Sequence, residues 1–141
     1  MFIIKSEVDF DMAHYLSGYN GKCCNIHGHR YKIIAKFKSS HLKPYGNNRA
    51  MVEDFSVIKN NLKEIADIFD HKLVIEKNHE GQELLNKMQD VKAFDIYLVP
   101  YRPTAEEMSR DIFNMLKERK LPIYSVELFE TPKNSCTYME D

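Results

Sequence analysis

The chain has 141 residues, 43% hydrophobic and 29% charged, with a formal net charge of -1, which fits one domain over residues 1–141 with enough chain to bury a core. Its lysines and arginines are dispersed, which argues against nucleic-acid binding and against electrostatic attachment to a membrane. No apolar run approaches the ~20 residues of a membrane span, the opening Met1–Lys5 is too short for a signal peptide, and an odd three cysteines make no disulfide framework, so a reduced, cytoplasmic protein is expected.

Phe2, Ile4, Val8 and Phe10 alternate with polar residues, the period of a half-buried strand. A loop over 11–26, punctuated by Gly18 and Gly21, leads to a second strand from Arg30 to Lys38, with Tyr31, Ile33, Ala35 and Phe37 on one face. Pro44, Gly46, Asn47 and Asn48 turn the chain before Met51–Glu53, so residues 2–53 read as an embellished antiparallel hairpin. A helix follows from Ser56, its expected N-cap, to Phe69, burying Ile58, Leu62 and Ile65. The stretch 76–92 is polar and weakly patterned. Phe94–Val99 is the next strand, and Thr104 caps a second helix, with Glu107 completing a capping box and Met108, Ile112, Met115 and Leu116 facing inward. Ser125–Glu130 forms the last full strand, with a short one near Cys136–Tyr138. The expected class is α+β: a four-stranded, mainly antiparallel sheet with two helices on one face.

His14, His27 and His29 stand as His-x12-His-x-His. Residues 27 and 29, at i and i+2, project from one face of a strand, and the hairpin brings His14 alongside. Three neutral imidazoles with a vacant fourth position suit a catalytic zinc ion. The same spacing also arises on an ordinary surface strand, so alone it divides the two readings about evenly. Cys23 and Cys24 form no CxxC pair, and Cys136 stands apart, which disfavours a Cys-rich structural site. A nucleophilic or basic thiol beside a cation and a small buried hydrophobe are both open readings for them. Asp70–His71 follows a helix end, where such a pair is commonly a surface cap; the two cooperate only if the chain turns there. Glu130 shares a strand face with Val126 and Leu128, so its carboxylate needs a partner, whether an internal cation or a ligand.

Phe10-Asp11-Met12-Ala13-His14, followed by Cys23-x3-His27-Gly28-His29, resembles the zinc signature of the 6-pyruvoyl-tetrahydropterin synthase superfamily. Val52–Phe55, Phe69–Leu73, Pro103–Glu106 and Glu130–Pro132 resemble its further motifs in order, so the likeness runs from residue 10 to residue 132. It implies a T-fold that closes into a barrel by oligomerisation, as a homohexamer of two stacked trimers with sites at subunit boundaries. It also implies Zn2+ on His14, His27 and His29, catalysis by Cys23 with Asp70 and His71, and a pterin ring held by Glu130 near Thr104. Cys24 has no counterpart role. The short Cys-x3-His spacing resembles the 6-carboxy-tetrahydropterin branch of queuosine and deazapurine biosynthesis; a 6-pyruvoyl enzyme and a non-catalytic pterin or zinc binder are the rivals. Two departures stand out: the segment between His71 and Pro103 is longer than in compact members of that branch, and Glu107 replaces a frequent Asn.

Overall fold

The computed structural model describes residues 1–141. Strands β1 (Phe2–His14) and β2 (His27–Ser39) pair antiparallel from Phe2 against Ser39 to His14 against His27. Along both, alternate side chains turn toward one face, where Phe10, Met12, Tyr31, Ile33, Ala35 and Phe37 are buried. Helices α1 (Phe55–Phe69) and α3 (Ala105–Glu118) cover that face, inserting Ile58, Leu62 and Ile65 from the first and Met108, Ile112 and Leu116 from the second. Strand β5 (Ile123–Thr131) pairs antiparallel with β2 and adds Val126 and Leu128 to the same core.

The α+β class holds, but the sheet is larger than expected. Strands β3 (Leu73–Glu76), β4 (Ile96–Val99) and β6 (Asn134–Tyr138) extend it to six, ordered β4-β3-β1-β2-β5-β6. β3 runs parallel to both β1 and β4, so the sheet is mixed. A third helix, α2 (His79–Met88), packs Leu84 with Leu73, Ile75, Ile96 and Leu98, on the face opposite the main core. Helices therefore lie on both faces, and β3 is buried from both sides. No strand forms at Met51–Glu53; instead Glu53 accepts both Lys43 Nζ contacts, at 2.9 and 3.0 Å, and a bond from the Asp54 amide.

The helix starts also differ in detail. Asp54, not Ser56, caps α1, its carboxylate accepting from the Ser56 amide at 2.8 Å. Thr104 does cap α3, accepting from the Glu107 amide at 3.3 Å, but the Glu107 side chain pairs with Arg110 instead of closing the box. No helix is long and apolar enough to cross a membrane.

Gly81 is the contact that lets α2 dock. A Cβ built there would lie 2.2 Å from the Glu76 carbonyl and 2.9 Å from Ile75 Cγ2. Alanine is the better helix former by about 1 kcal/mol, yet the obstruction is backbone and cannot swing aside. Gly81→Ala should therefore destabilise the fold by about 1–3 kcal/mol, read as a lowered urea midpoint; an unchanged or raised midpoint would show that α2 docks by other means.

Candidate metal centre and its adjoining cavity

The hairpin register sets three imidazoles on the buried face. His14 ends β1, His27 opens β2 directly across from it, and His29 follows two residues on. His14 Nδ1 donates to the Pro103 carbonyl at 2.8 Å, and His27 Nδ1 donates to the Asn25 carbonyl at 2.7 Å. Because a carbonyl only accepts, each Nδ1 carries a proton, and in the neutral form of each ring Nε2 presents a lone pair. Those two Nε2 atoms lie 3.2 Å apart. His29 Nε2 is buried without a hydrogen-bond partner, 3.5 Å from Glu130 Oε1 and poorly aligned with it.

Two lone pairs facing at that distance repel unless a cation lies between them. Tetrahedral zinc with Zn–N near 2.05 Å would hold neighbouring ligand nitrogens ~3.3 Å apart, close to the spacing present. Donor atoms of all three histidines lie within 4.8 Å of one another. Burial lowers the pKa of His14 and outweighs the raising effect of the Pro103 bond; burial likewise lowers that of His29 against the charge of Glu130. Neutral imidazoles are what a metal requires, and the residues fit a metal ion.

Tyr31 underlies the cluster, a role that its place on an apolar strand face did not reveal. Fully buried, it sets its hydroxyl 3.3 and 3.4 Å from the two ring nitrogens of His14. Burial first, then the charges of Glu130 and Cys23, push its phenol well above the ordinary range. It stays neutral and fills the space beneath the histidines. The only advance signal was its position, i+2 from His29 in the same alternation.

A cavity of about 330 Å³ holds Cys23, Thr104 and Glu130 together. Cys23 lies in a 3-10 turn, Lys22–Cys24, fastened by the Leu16 amide donating to the Cys23 carbonyl at 2.8 Å. Thr104 enters from the start of α3 and Glu130 from near the end of β5. Cys24 lines a different cavity, beside Tyr15 and Glu80, with its thiol toward Asn25 Oδ1.

Asp70 and His71 are brought together with each other but not with Cys23. Asp70 ends α1 in an extended conformation, and His71 takes the left-handed region at φ 59°, the turn that adjacent residues need to cooperate. Their side chains meet at 3.0 Å, Asp70 Oδ2 to His71 Nδ1. Asp70 also accepts from the Asp11 amide at 2.9 Å, and that bond first, then His71, holds its carboxyl below the usual range. His71 is 78% exposed and lines a cavity of about 500 Å³ with His29, Arg30 and Lys72, distinct from the one that holds Cys23.

Fold and site together describe a small α+β protein with three histidines that could hold a metal ion, joined through Glu130 to a cavity that holds a thiol, a hydroxyl and a carboxylate. The chain belongs to the 6-pyruvoyl tetrahydropterin synthase family, whose model matches residues 3–141. It is 42% identical to the 6-carboxy-5,6,7,8-tetrahydropterin synthase of Haemophilus influenzae, over 99% of this chain and all of that one. It is 32% identical to the protein of the same name from Synechocystis, over 98% and 93% of the two chains. Among solved structures, 6-pyruvoyl tetrahydropterin synthase of Caenorhabditis elegans matches with a TM-score of 0.70 at 25% identity, covering 99% and 96%. An uncharacterized protein of Wolinella succinogenes matches with a TM-score of 0.82 at 19% identity, covering 99% and 98%, and speaks for the fold alone.

Replacing His27, which is only partly buried whereas His14 is fully so, tests the centre. His27→Ala should weaken Zn2+ binding more than ~100-fold while the far-ultraviolet circular dichroism stays unchanged; undiminished metal content by mass spectrometry would refute the triad.

Proposed function

We propose that this protein converts 7,8-dihydroneopterin triphosphate and one water to 6-carboxy-5,6,7,8-tetrahydropterin, acetaldehyde and triphosphate, a cytoplasmic step toward queuosine and related deazapurines. The observation that carries the reading is the place of Glu130, whose carboxylate stands 3.5 Å from His29 of the three-histidine cluster and lines one cavity with Cys23 and Thr104. The 42% identity to a protein named for the carboxy reaction supports that branch over the 6-pyruvoyl one.

Each side chain has a task suited to its surroundings. Glu130 can accept from the amino group and the neighbouring ring N–H of a pterin in a two-point, charge-assisted bond. Thr104 lies beside it on the cavity wall, its hydroxyl shared with the first turn of α3. His14, His27 and His29 would hold Zn2+, which when bound would supply Lewis-acid polarisation of the substrate's side-chain oxygens and so make the adjoining C–H more acidic. Cys23 is the base that takes that proton, and His71, oriented by Asp70, returns one. A mere pterin or zinc binder needs no such acid–base set.

Within one chain, His71 does not line the cavity of Cys23. That separation supports an assembly in which the partner subunit's His71 and Asp70 complete each site, as in a hexamer of two stacked trimers closing a barrel. The sheet's edges, β4 and β6, gain partners in such an arrangement.

Incubating the zinc-loaded protein with 7,8-dihydroneopterin triphosphate should yield 6-carboxy-tetrahydropterin and acetaldehyde by mass spectrometry. A 6-pyruvoyl product would move the protein to the other branch, and no turnover by metal-replete enzyme would sink the substrate assignment. Cys23→Ala should keep its zinc and lose about 100-fold or more in kcat; full activity would remove the thiol from the chemistry. Co-expressing Cys23→Ala with His71→Ala should restore turnover that neither variant has alone. Failure of the mixed protein to exceed the two homogeneous variants would count against a shared site.

A further inference from the structure

The cavity of Cys23, Thr104 and Glu130 has one aromatic side chain in its lining, Tyr19. It belongs to the loop between β1 and β2 and is 46% exposed, so it is not held there by the core. Its amide donates to the Leu16 carbonyl at 3.2 Å, which ties the residue to the turn carrying Cys23. The ring itself lies against Gly21. A Cβ at position 21 would stand 2.6 Å from Tyr19 Cε1 and 3.4 Å from Cδ1 and Cζ. The backbone at Gly21 is extended, at φ 165°, so what glycine provides here is room for the ring and not a special dihedral.

A flat bicyclic ring bonded along one edge by Glu130 still has two broad faces to remove from water. Carboxylate bonding fixes the edge but leaves those faces uncovered. Leu16, Cys23 and Thr104 offer small or aliphatic contacts; Tyr19 offers a plane. Stacking of a heteroaromatic base on an aromatic side chain is worth roughly ten-fold in affinity. We propose that Tyr19 stacks on the ring of the bound pterin, and that Gly21 is the seat that lets the phenol lie over the cavity. This rests on the pterin reading above and adds a residue to it: Tyr19 contacts the substrate, and Gly21 acts through Tyr19.

The test uses an unphosphorylated, fully oxidised pterin, 2-amino-4-oxopteridine, which binds without reacting and reports by its own fluorescence. With the full-length, zinc-loaded protein, Tyr19→Ala should weaken binding about ten-fold, while Tyr19→Phe stays within about two-fold of wild type. Gly21→Ala should also weaken binding, because it displaces the ring. The double variant should be no weaker than Tyr19→Ala alone, since the glycine then has no ring to seat. Equal affinities of wild type and Tyr19→Ala would overturn the stacking role and leave the pterin reading standing. No binding by wild type would overturn both.

Discussion

The site depends on the register between β1 and β2. Side chains on a strand alternate faces, so a slip of one residue would carry His27 and His29 to the face of Arg30 and Gly28 and leave His14 alone. The register is held by apolar packing that continues the same face below the histidines. Phe10 stacks on Tyr31, ring centroids 5.2 Å apart and planes 6° from parallel, and also meets Phe69 of α1 at 5.8 Å. Shifting either strand would expose Ile33, Ala35 and Phe37, which are fully buried. The core thus fixes the geometry of the histidine cluster from below.

Burial then decides the chemistry of what the register gathers. Desolvation lowers the pKa of His14 and His29 although Glu130 pulls the other way. Carbonyls at Pro103 and Asn25 turn two ring protons outward. The result is a set of lone pairs aimed inward, two of them only 3.2 Å apart. Such an arrangement of neutral rings is unfavourable by itself and favourable around a cation, so the fold carries the cost of preorganisation in the absence of any ion. Tyr31 completes it by remaining neutral beneath the ring of His14.

Much of this was legible in the sequence wherever one face of an element meets water. Both long strands, α1 and α3 announced themselves by period two or by helical spacing, and the strand alternation put the histidines on one face. β3 did not, because Leu73, Val74 and Ile75 are all buried and a strand covered on both sides shows no alternation. α2 was faint for a related reason: it rests on the sheet through Leu84 and the bare backbone of Gly81, too narrow a stripe to register as periodic. The segment between His71 and Pro103 holds β3, α2 and β4, one edge of the sheet and a helix on its second face. Asp54 displaced Ser56 as the cap since either side chain suits the position and only the backbone chooses.

Asp70 and His71 are the residues whose position asks most of the backbone. A cap at a helix end needs only a side-chain acceptor, and the chain could supply one without strain. Here the helix ends at an extended Asp70, and His71 sits in the left-handed region, which for a residue with a Cβ costs about 1–3 kcal/mol. The turn is fastened from both sides, by the Asp11 amide on Asp70 and by the His71 amide on the Asp11 carbonyl at 2.7 Å. What the strain secures is an imidazole held 3.0 Å from a carboxylate yet 78% exposed. An orienting carboxylate beside an exposed ring is of little use to the stability of one chain. It is well suited to meeting something that arrives from outside, and the cavity it lines also reaches His29 of the histidine cluster.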